Sequence, residues 1–335
     1  MKILVTGGAG MIGSNLVRRL VSEGHNVVVA DNFWRGKKDY LRAADGGLII
    51  PESNLHEVDL RKFNDCLTIM EDIEVCFHLA DIVAGINFVF SNQRFLFRAN
   101  ILINSNVLEA AITRKVSRYI YVGTACSFPK SLQSKADARP LQEADTYPAD
   151  PESAYGWSKL MGEYEAELAS EEGNIDVGIL RLHNVYGSPA ELDPQKSQVI
   201  PALCRKAILS PSEPFVVWGS GSQRRAFVHV DDVVDALFSV MSSGMNVGPI
   251  QIGPSQSISI AEISHKIARI SGKQLVPEFD HSRPEGDGDR MADFSKATDL
   301  LGWQPKVDFD SGLEATYRWC ESELVRQGIA PSPLS

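Results

Sequence analysis

The chain has 335 residues, 44% of them apolar and 23% charged, with a formal net charge of -10. That length allows one large domain or two unequal ones, and the composition is ordinary for a globular protein. The basic residues form no run longer than Arg35 to Lys38, which argues against a nucleic-acid or anionic-membrane surface.

Lys2 to Thr6 reads as a short buried strand, and Gly7-Gly8-Ala9-Gly10-Met11-Ile12-Gly13 follows at once. Leu16, Val17, Leu20 and Val21 then recur at helical spacing up to Gly24, giving strand, glycine turn, helix. Gly7, Gly10 and Gly13 permit a tight turn, close approach of a pyrophosphate to the helix N-terminus, and close packing of helix on strand. The next apolar run, Val27 to Ala30, ends in Asp31, where a dinucleotide site needs a carboxylate for the ribose 2'-hydroxyl. A 2'-phosphate would be repelled there, so NAD is expected rather than NADP.

The alternation continues through a strand from Asn54 to Val58 that ends at Asp59-Leu60, a helix from Lys62 to Glu71 and a strand from Val75 to Ala80. A long helix from Asn92 to Thr113 and a strand from Arg118 to Gly123 come next. Strands alternating with helices predict a doubly wound parallel (Rossmann) sheet, with ligands at the carboxyl ends of its strands. Thr124-Ala125-Cys126 lies at such an end. After the loop from Phe128 to Pro151, Tyr155 and Lys159 share one face of a helix over 152–171. Alone, that spacing is common by chance. With Thr124 and Cys126 it reads as a hydroxyl, a thiol, a phenol and an amine converging on one crevice. The ammonium is expected to lower the phenol from about 10 towards neutrality. A buried, space-filling role for Cys126 stays open.

Strand 176–181 is expected to complete the sheet, so that residues 1–175, with that strand and part of 220–250, form the dinucleotide domain. Residues 182–330 then make a smaller, mixed α/β substrate lobe, which includes Gln198 to Leu209 and Phe215 to Trp218. Its placed cations are Arg181, Arg205, Arg225, Arg283 and Arg290, each of which a surface salt bridge would also explain. Asp231 and Asp232 precede the apolar helix Val233 to Met241 and read as its N-cap and first-turn charges. His183 and His229 lack metal-ligand spacing, and His229 reads as structural. Gly286-Asp287-Gly288-Asp289 lacks the terminal glutamate of a calcium loop, so no metal is expected. Cys66, Cys76, Cys126, Cys204 and Cys320 contain no Cys-x-x-Cys pair, which fits a reducing, cytoplasmic setting. The N-terminal apolar run is too short for a signal peptide, and no stretch is long enough to span a bilayer. The tail after Gln327 is expected to be mobile.

The turn TGGAGMIG, Asp31, Asp59-Leu60, the strand end His78-Leu79-Ala80, Thr124 and the pair Tyr155 and Lys159 resemble the extended short-chain dehydrogenase/reductase family, nucleotide-sugar branch. RLHNVYG (Arg181 to Gly187), Gly221 to Asp232 and Leu301-Gly302-Trp303 continue the resemblance in order over nearly the whole chain. Within the branch, TACSFP, ALCRKA, VWGSGSQRRAF and RPEGDGDRMAD are most similar to the GDP-mannose 3,5-epimerases. The resemblance implies an NAD-dependent epimerase acting on a nucleotide-diphosphate sugar, GDP-sugar favoured, through a transient 4-keto intermediate. Tyr155 would take the C4 hydroxyl proton, Thr124 would bond the same oxygen, Lys159 would assist, and Cys126 would be acid/base at C3 or C5. Cofactor contacts are implied for Gly7, Gly10, Met11, Ile12, Gly13, Asp31, Asp59, Leu60, Leu79, Ala80, Tyr155 and Lys159. Substrate contacts are implied for Gly85, Asn184, Lys206, Trp218, Arg225 and Arg290, and a homodimer for helical stretches 92–113 and 152–171. Ala125-Cys126 stands where the related 4,6-dehydratases carry Asp-Glu. Gln198 stands where the 3,5-epimerases carry a lysine, with Lys196 two residues away. A single-centre epimerase, a 4-epimerase for UDP- or GDP-sugars, and a 4,6-dehydratase or decarboxylase therefore stay open.

Overall fold

Near-continuous apolar runs make strands that are buried on both faces, the pattern of a parallel sheet covered by helices. The computed structural model describes residues 1–83, 85–133, 139–283 and 288–331. Six strands, β1 (Lys2–Thr6), β2 (Asn26–Asp31), β3 (Leu55–Glu57), β4 (Val75–His78), β5 (Arg118–Thr124) and β6 (Asp176–Leu182), join the strand Pro249–Ile252 in one sheet. Its order is Pro249–Ile252, β6, β5, β4, β1, β2, β3, and every neighbouring pair is parallel. This is the expected doubly wound sheet, with a topological switch beside β1.

Among the described residues, ten α-helices follow the chain. They are α1 (Met11–Ser22), α2 (Phe63–Ile69), α3 (Ile86–Ser91), α4 (Gln93–Thr113), α5 (Ala154–Glu171), α6 (Val199–Leu209), α7 (Val230–Ser243), α8 (Ile260–Ile270), α9 (Ser295–Leu301) and α10 (Phe309–Arg326). One core unites the sheet face bearing Val5, Val29 and Phe77 with Leu16 and Leu20 of α1 and Val233 and Leu237 of α7. The other face, with Leu4, Cys76, Tyr119 and Tyr121, packs on Leu96 and Val107 of α4 and Ala166 of α5. A third core joins α6, α8 and α10 through Leu203, Ile263, Ile267, Leu313 and Leu324.

Several expected boundaries move. β3 begins at Leu55 and ends before Val58, and α2 is the shorter span Phe63–Ile69. β4 stops at His78: the Leu79 amide is shared between the Thr6 carbonyl (3.3 Å) and hydroxyl (3.2 Å), and the Ala80 amide turns onto that hydroxyl (3.2 Å). The short helix α3 was not foreseen. Asp231 does not cap α7: His229 does, accepting from the Asp231 amide, which gives the expected structural histidine a specific task. Asp232 is buried and accepts from the amides of Lys306 and Val307, pinning the segment beyond Trp303 to α7. Residues 286–287 of the calcium-like loop and 332–335 of the tail lie outside the described residues.

Arg181, expected at the surface, is 1% exposed and paired with the equally buried Glu163 of α5. It also donates to Thr146 Oγ1 at 2.7 Å and lies 4.7 Å from the Phe128 ring centroid. Removing one partner of a buried pair strands the other's charge. Glu163→Ala is therefore expected to lower the unfolding free energy by about 3–5 kcal/mol, measured by urea denaturation; a loss under about 1 kcal/mol, the level of an exposed pair, would contradict it.

Candidate active site

The carboxyl ends of β1, β2, β4, β5 and β6 open into a cleft of about 450 Å³, within the range of ligand pockets. At one end is the glycine turn. A Cβ at Gly13 would sit 2.2 Å from the Gly7 carbonyl oxygen, so only glycine lets α1 start this close to the turn. Gly10 caps α1 with no side-chain bond, and the first-turn amides stay available to an anion. Asp31 accepts from the amides of Ala9 (3.0 Å) and Phe33 (2.8 Å), and its carboxylate lines the cleft. Burial raises its pKa. Asp59 also lines the cleft, gripped by Arg61 through two 2.8 Å bonds that hold its pKa down. A turn with no room for a Cβ, uncapped helix amides and a ribose-side carboxylate together fit a dinucleotide.

A buried hydrogen-bond chain joins that turn to α5. The Asn104 amide nitrogen donates to the Tyr121 hydroxyl (3.2 Å) and the Ser158 carbonyl (3.3 Å), so its oxygen faces His78 Nε2 at 3.1 Å as an acceptor. His78 then carries its proton on Nε2, and its Nδ1 accepts a hydrogen bond from the Thr6 hydroxyl at 2.8 Å. Tyr121 in turn donates to the Lys159 carbonyl at 3.0 Å.

α5 is capped by Ser153, whose side chain accepts from the Gly156 amide. Tyr155 projects into the cleft, and its hydroxyl donates to Asp81 Oδ2 at 2.9 Å. Lys159 lies beneath, 1% exposed, with Nζ 3.8 Å from the same oxygen and 4.6 Å from the Tyr121 ring centroid. The lowering expected from the lysine is opposed in this arrangement. Burial, then the Asp81 charge, raises Tyr155 well above its ordinary value, while burial lowers Lys159. The ammonium faces the carboxylate, and the carboxylate faces the phenol.

Thr124 ends β5, and its hydroxyl accepts from the Cys126 amide at 3.2 Å. Arg290, 7% exposed, points Nη1 at Cys126 Sγ (3.5 Å) and at Gln133 Oε1 (3.1 Å), and Nη2 at Asn184 Oδ1 (3.4 Å). Gln133 is fixed by donating to the carbonyls of Phe128 and Pro129. Gly85 and Arg225 line the same cleft.

The expected residues thus line the cleft with three exceptions, the first being Lys159, which lies beneath it. Trp218 and Lys206 are not among the described residues lining the cleft: Trp218 is 38% exposed, and Lys206 bonds the Val216 carbonyl at 2.6 Å. Gln198 lines the cleft, but Lys196 does not reach Cys126, because its Nζ bonds the Trp34 carbonyl at 2.9 Å. Sequence reasoning missed Asp81 and Gln133. The signal for Asp81 was its place just past the carboxyl end of β4; Gln133 had none, because long-range folding brings it to Arg290.

Fold and cleft define a dinucleotide-binding protein with a tyrosine, a thiol and charged partners grouped at the ends of its strands. Residues 3–253 match the NAD dependent epimerase/dehydratase family. GDP-mannose 3,5-epimerase of Arabidopsis thaliana is 32% identical over 100% of this chain and 86% of its own length. UDP-N-acetyl-alpha-D-glucosaminuronate decarboxylase of Bacillus cytotoxicus is 30% identical over 95% of this chain and 97% of its own. Among solved structures, UDP-glucose 4-epimerase of Thermotoga maritima, with UDP-glucose, superposes with a TM-score of 0.84 at 28% identity, covering 97% of this chain and 100% of that one. The chain belongs to the NAD dependent epimerase/dehydratase family. It is an enzyme of that class, and NAD is its cofactor.

His78 and His183 are buried, and desolvation pushes both down to about 3. An unfolded chain titrates them near about 6.5, so it takes up protons first as pH falls. Their contribution is fully present above about pH 6.5 and is lost as pH falls towards about 3, at up to about 1.4 kcal/mol per pH unit for each. Urea denaturation between about pH 6.5 and 4.5, above the main carboxylate range, is expected to show that decline; a flat profile would contradict it.

Proposed function

We propose that the enzyme is a nucleotide-sugar epimerase that works through a transient 4-keto sugar, with Cys126 as acid/base at C3 or C5. The observation that carries this reading is the placement of Cys126 Sγ 3.5 Å from Arg290 Nη1, in the cleft that also holds Thr124 and Tyr155. Gly7, Gly10, Met11, Ile12 and Gly13 would hold the pyrophosphate side of NAD, Asp31 the ribose, Asp59 and Leu60 the adenine side, and Leu79, Ala80 and Lys159 the path to the nicotinamide. Bound NAD supplies reversible oxidation at C4 and is regenerated in each cycle.

The chain's own residues manage the protons. Tyr155 Oη takes the C4 hydroxyl proton and later returns it, while Thr124 Oγ1 orients the same oxygen. The C4 ketone acidifies the C3 and C5 hydrogens, so the Cys126 thiolate is base enough to remove one, with the Arg290 guanidinium as counter-ion. Ala125-Cys126 offers no carboxylate pair for eliminating water, which disfavours dehydration. Asn184, Arg225 and Arg290 would meet the diphosphate, a guanidinium forking onto its oxygens, and Gly85 leaves space for the sugar. Trp218 and Lys206, outside the main cleft with Arg283 5.3 Å from the indole ring, would receive the nucleobase end. The Arabidopsis relative supports a GDP-sugar. With Lys196 held at Trp34, inversion at one carbon is the reading the loop supports.

The test incubates the enzyme with GDP-mannose in deuterated water. Expected are an epimer of unchanged mass apart from deuterium at C3 or C5, and an about 100-fold or greater loss of that label in Cys126→Ser with NAD retained. A C4 epimer without label would show a 4-epimerase and remove Cys126 from the chemistry; loss of water or carbon dioxide would show a lyase.

We also infer a cytoplasmic homodimer. Phe95 and Phe97 of α4 and Tyr164 and Leu168 of α5 are exposed on two adjacent helices, apolar surface that a second copy would cover. Sedimentation is expected to give twice the chain mass, falling to one chain in Phe95→Glu/Leu168→Glu; a monomeric native protein would refute the dimer.

A further inference from the structure

Arg290 reaches Cys126 from far along the chain, and the direction of its guanidinium has a local cause. Nη1 donates to Cys126 Sγ at 3.5 Å and to Gln133 Oε1 at 3.1 Å, while Nη2 donates to Asn184 Oδ1 at 3.4 Å. The contact with Gln133 is the shortest of the three. Gln133 is 1% exposed, and its amide nitrogen donates to the carbonyls of Phe128 (3.0 Å) and Pro129 (3.3 Å), so its oxygen is the end turned towards Arg290. The same residue grips the segment that carries the arginine: its main-chain carbonyl accepts from the Asp289 amide at 3.1 Å. Gln133 also lies on the same stretch after β5 as Cys126, so one piece of chain presents both acceptors to Nη1.

We infer that Gln133 is a positioning residue, the neutral acceptor that aims the Arg290 guanidinium at the Cys126 thiol and leaves its charge available to the thiolate. The assignment rests on the reading of Cys126 as acid/base. A thiol sulfur is a weak acceptor and does not by itself fix a long, flexible arginine. The buried amide supplies the direction. Gln133 and Asn184 both meet the guanidinium through amide oxygens, which hold it without drawing on its charge as a carboxylate would. When Cys126 loses its proton the counter-ion is already aligned with the sulfur, and no reorientation is needed at that moment.

Tyr155 of α5 is the other titratable group acting with Cys126, Asp81 and Glu152 line the same cleft, and Asp289 is buried beside Arg290 on its own segment. Arg290 alone of these carries positive charge. It is also the one hydrogen-bonded to the sulfur.

The test reads charge at the sulfur and needs no substrate. Cys126 lines the cleft while Cys66, Cys76, Cys204 and Cys320 are buried, so brief alkylation of the NAD-loaded protein labels Cys126 selectively. Iodoacetate is negatively charged and iodoacetamide is neutral. The ratio of their rates at Cys126, followed by mass spectrometry of the labelled peptide, reports the guanidinium, whereas a loosened fold changes access for both reagents alike. Gln133→Met keeps the length of the side chain and removes the acceptor, and the ratio is expected to fall about 10-fold, the scale of one hydrogen bond to a charged group. In Gln133→Glu the carboxylate holds the guanidinium but cancels its charge, so the ratio is expected to fall there too; this variant decides the matter if Gln133→Met does not hold NAD. In an Arg290→Lys background, Gln133→Met is expected to leave the ratio unchanged, because the glutamine acts through the arginine. A ratio within about two-fold of the parent in the NAD-loaded variants, or an undiminished fall in the Arg290→Lys background, would overturn the assignment. Failure of the parent to incorporate deuterium into GDP-mannose would refute the epimerase reading alone, and the alkylation ratio would still decide the role of Gln133.

Discussion

A buried hydroxyl at the end of the first strand holds the two halves of the site in one frame. Thr6 accepts from the amides of Leu79 and Ala80 and donates to His78, and the chain passes through Asn104 and Tyr121 to the backbone of Lys159. Every member has a partner, the condition under which a buried polar network rigidifies a core instead of weakening it. Its geometry depends on what is absent from α5: a Cβ at Gly162 would lie 2.5 Å from the Tyr121 oxygen and 2.6 Å from the Asn104 amide nitrogen. Glycine turn, β4 strand end and the Tyr155 helix are therefore located relative to one another by a single connected set of bonds.

That frame explains why β4 is shorter than its apolar run. The run continues through Leu79 and Ala80, but the Leu79 amide is shared between the Thr6 carbonyl and hydroxyl and the Ala80 amide goes to that hydroxyl, and the chain leaves the sheet in time to set Asp81 beside Tyr155. A deviation from regular strand creates the charged corner of the cleft. The cost of burying His78 neutral is set against positional accuracy at the reacting end, a common balance at active sites.

The fold was legible because local signals agreed with one another. Strand, glycine turn, helix and strand-end acid occur within Lys2 to Asp31, and hydrophobic periodicity carried the alternation through Asp176–Leu182. The site was legible where it rested on spacing or strand ends, as with Tyr155, Lys159, Thr124 and Cys126. It was not legible where it depended on charge. Arg181 looked like a surface cation because sequence does not show that Glu163 waits beneath the sheet. The carboxylate beside Tyr155 was hidden for the same reason: a lysine one helical turn away suggested an ionised phenol, and the carboxylate that faces that ammonium comes from the turn after another strand. Helix spacing reports which side chains share a face, while burial and distant partners decide what their charges do.

The cleft contains two proton-handling positions furnished with opposite partners. Tyr155 faces a carboxylate, and Cys126 faces a guanidinium. Charge on Cys126 and on Asp81 acts on Tyr155 in the same direction, towards the protonated phenol. The two positions are assembled from separate parts of the fold: Tyr155 comes from α5 and its carboxylate from the turn after β4, while Cys126 follows β5 and its guanidinium arrives from residue 290. Each pair is therefore set by long-range packing, and neither partner can be read from the helix or strand that carries the other.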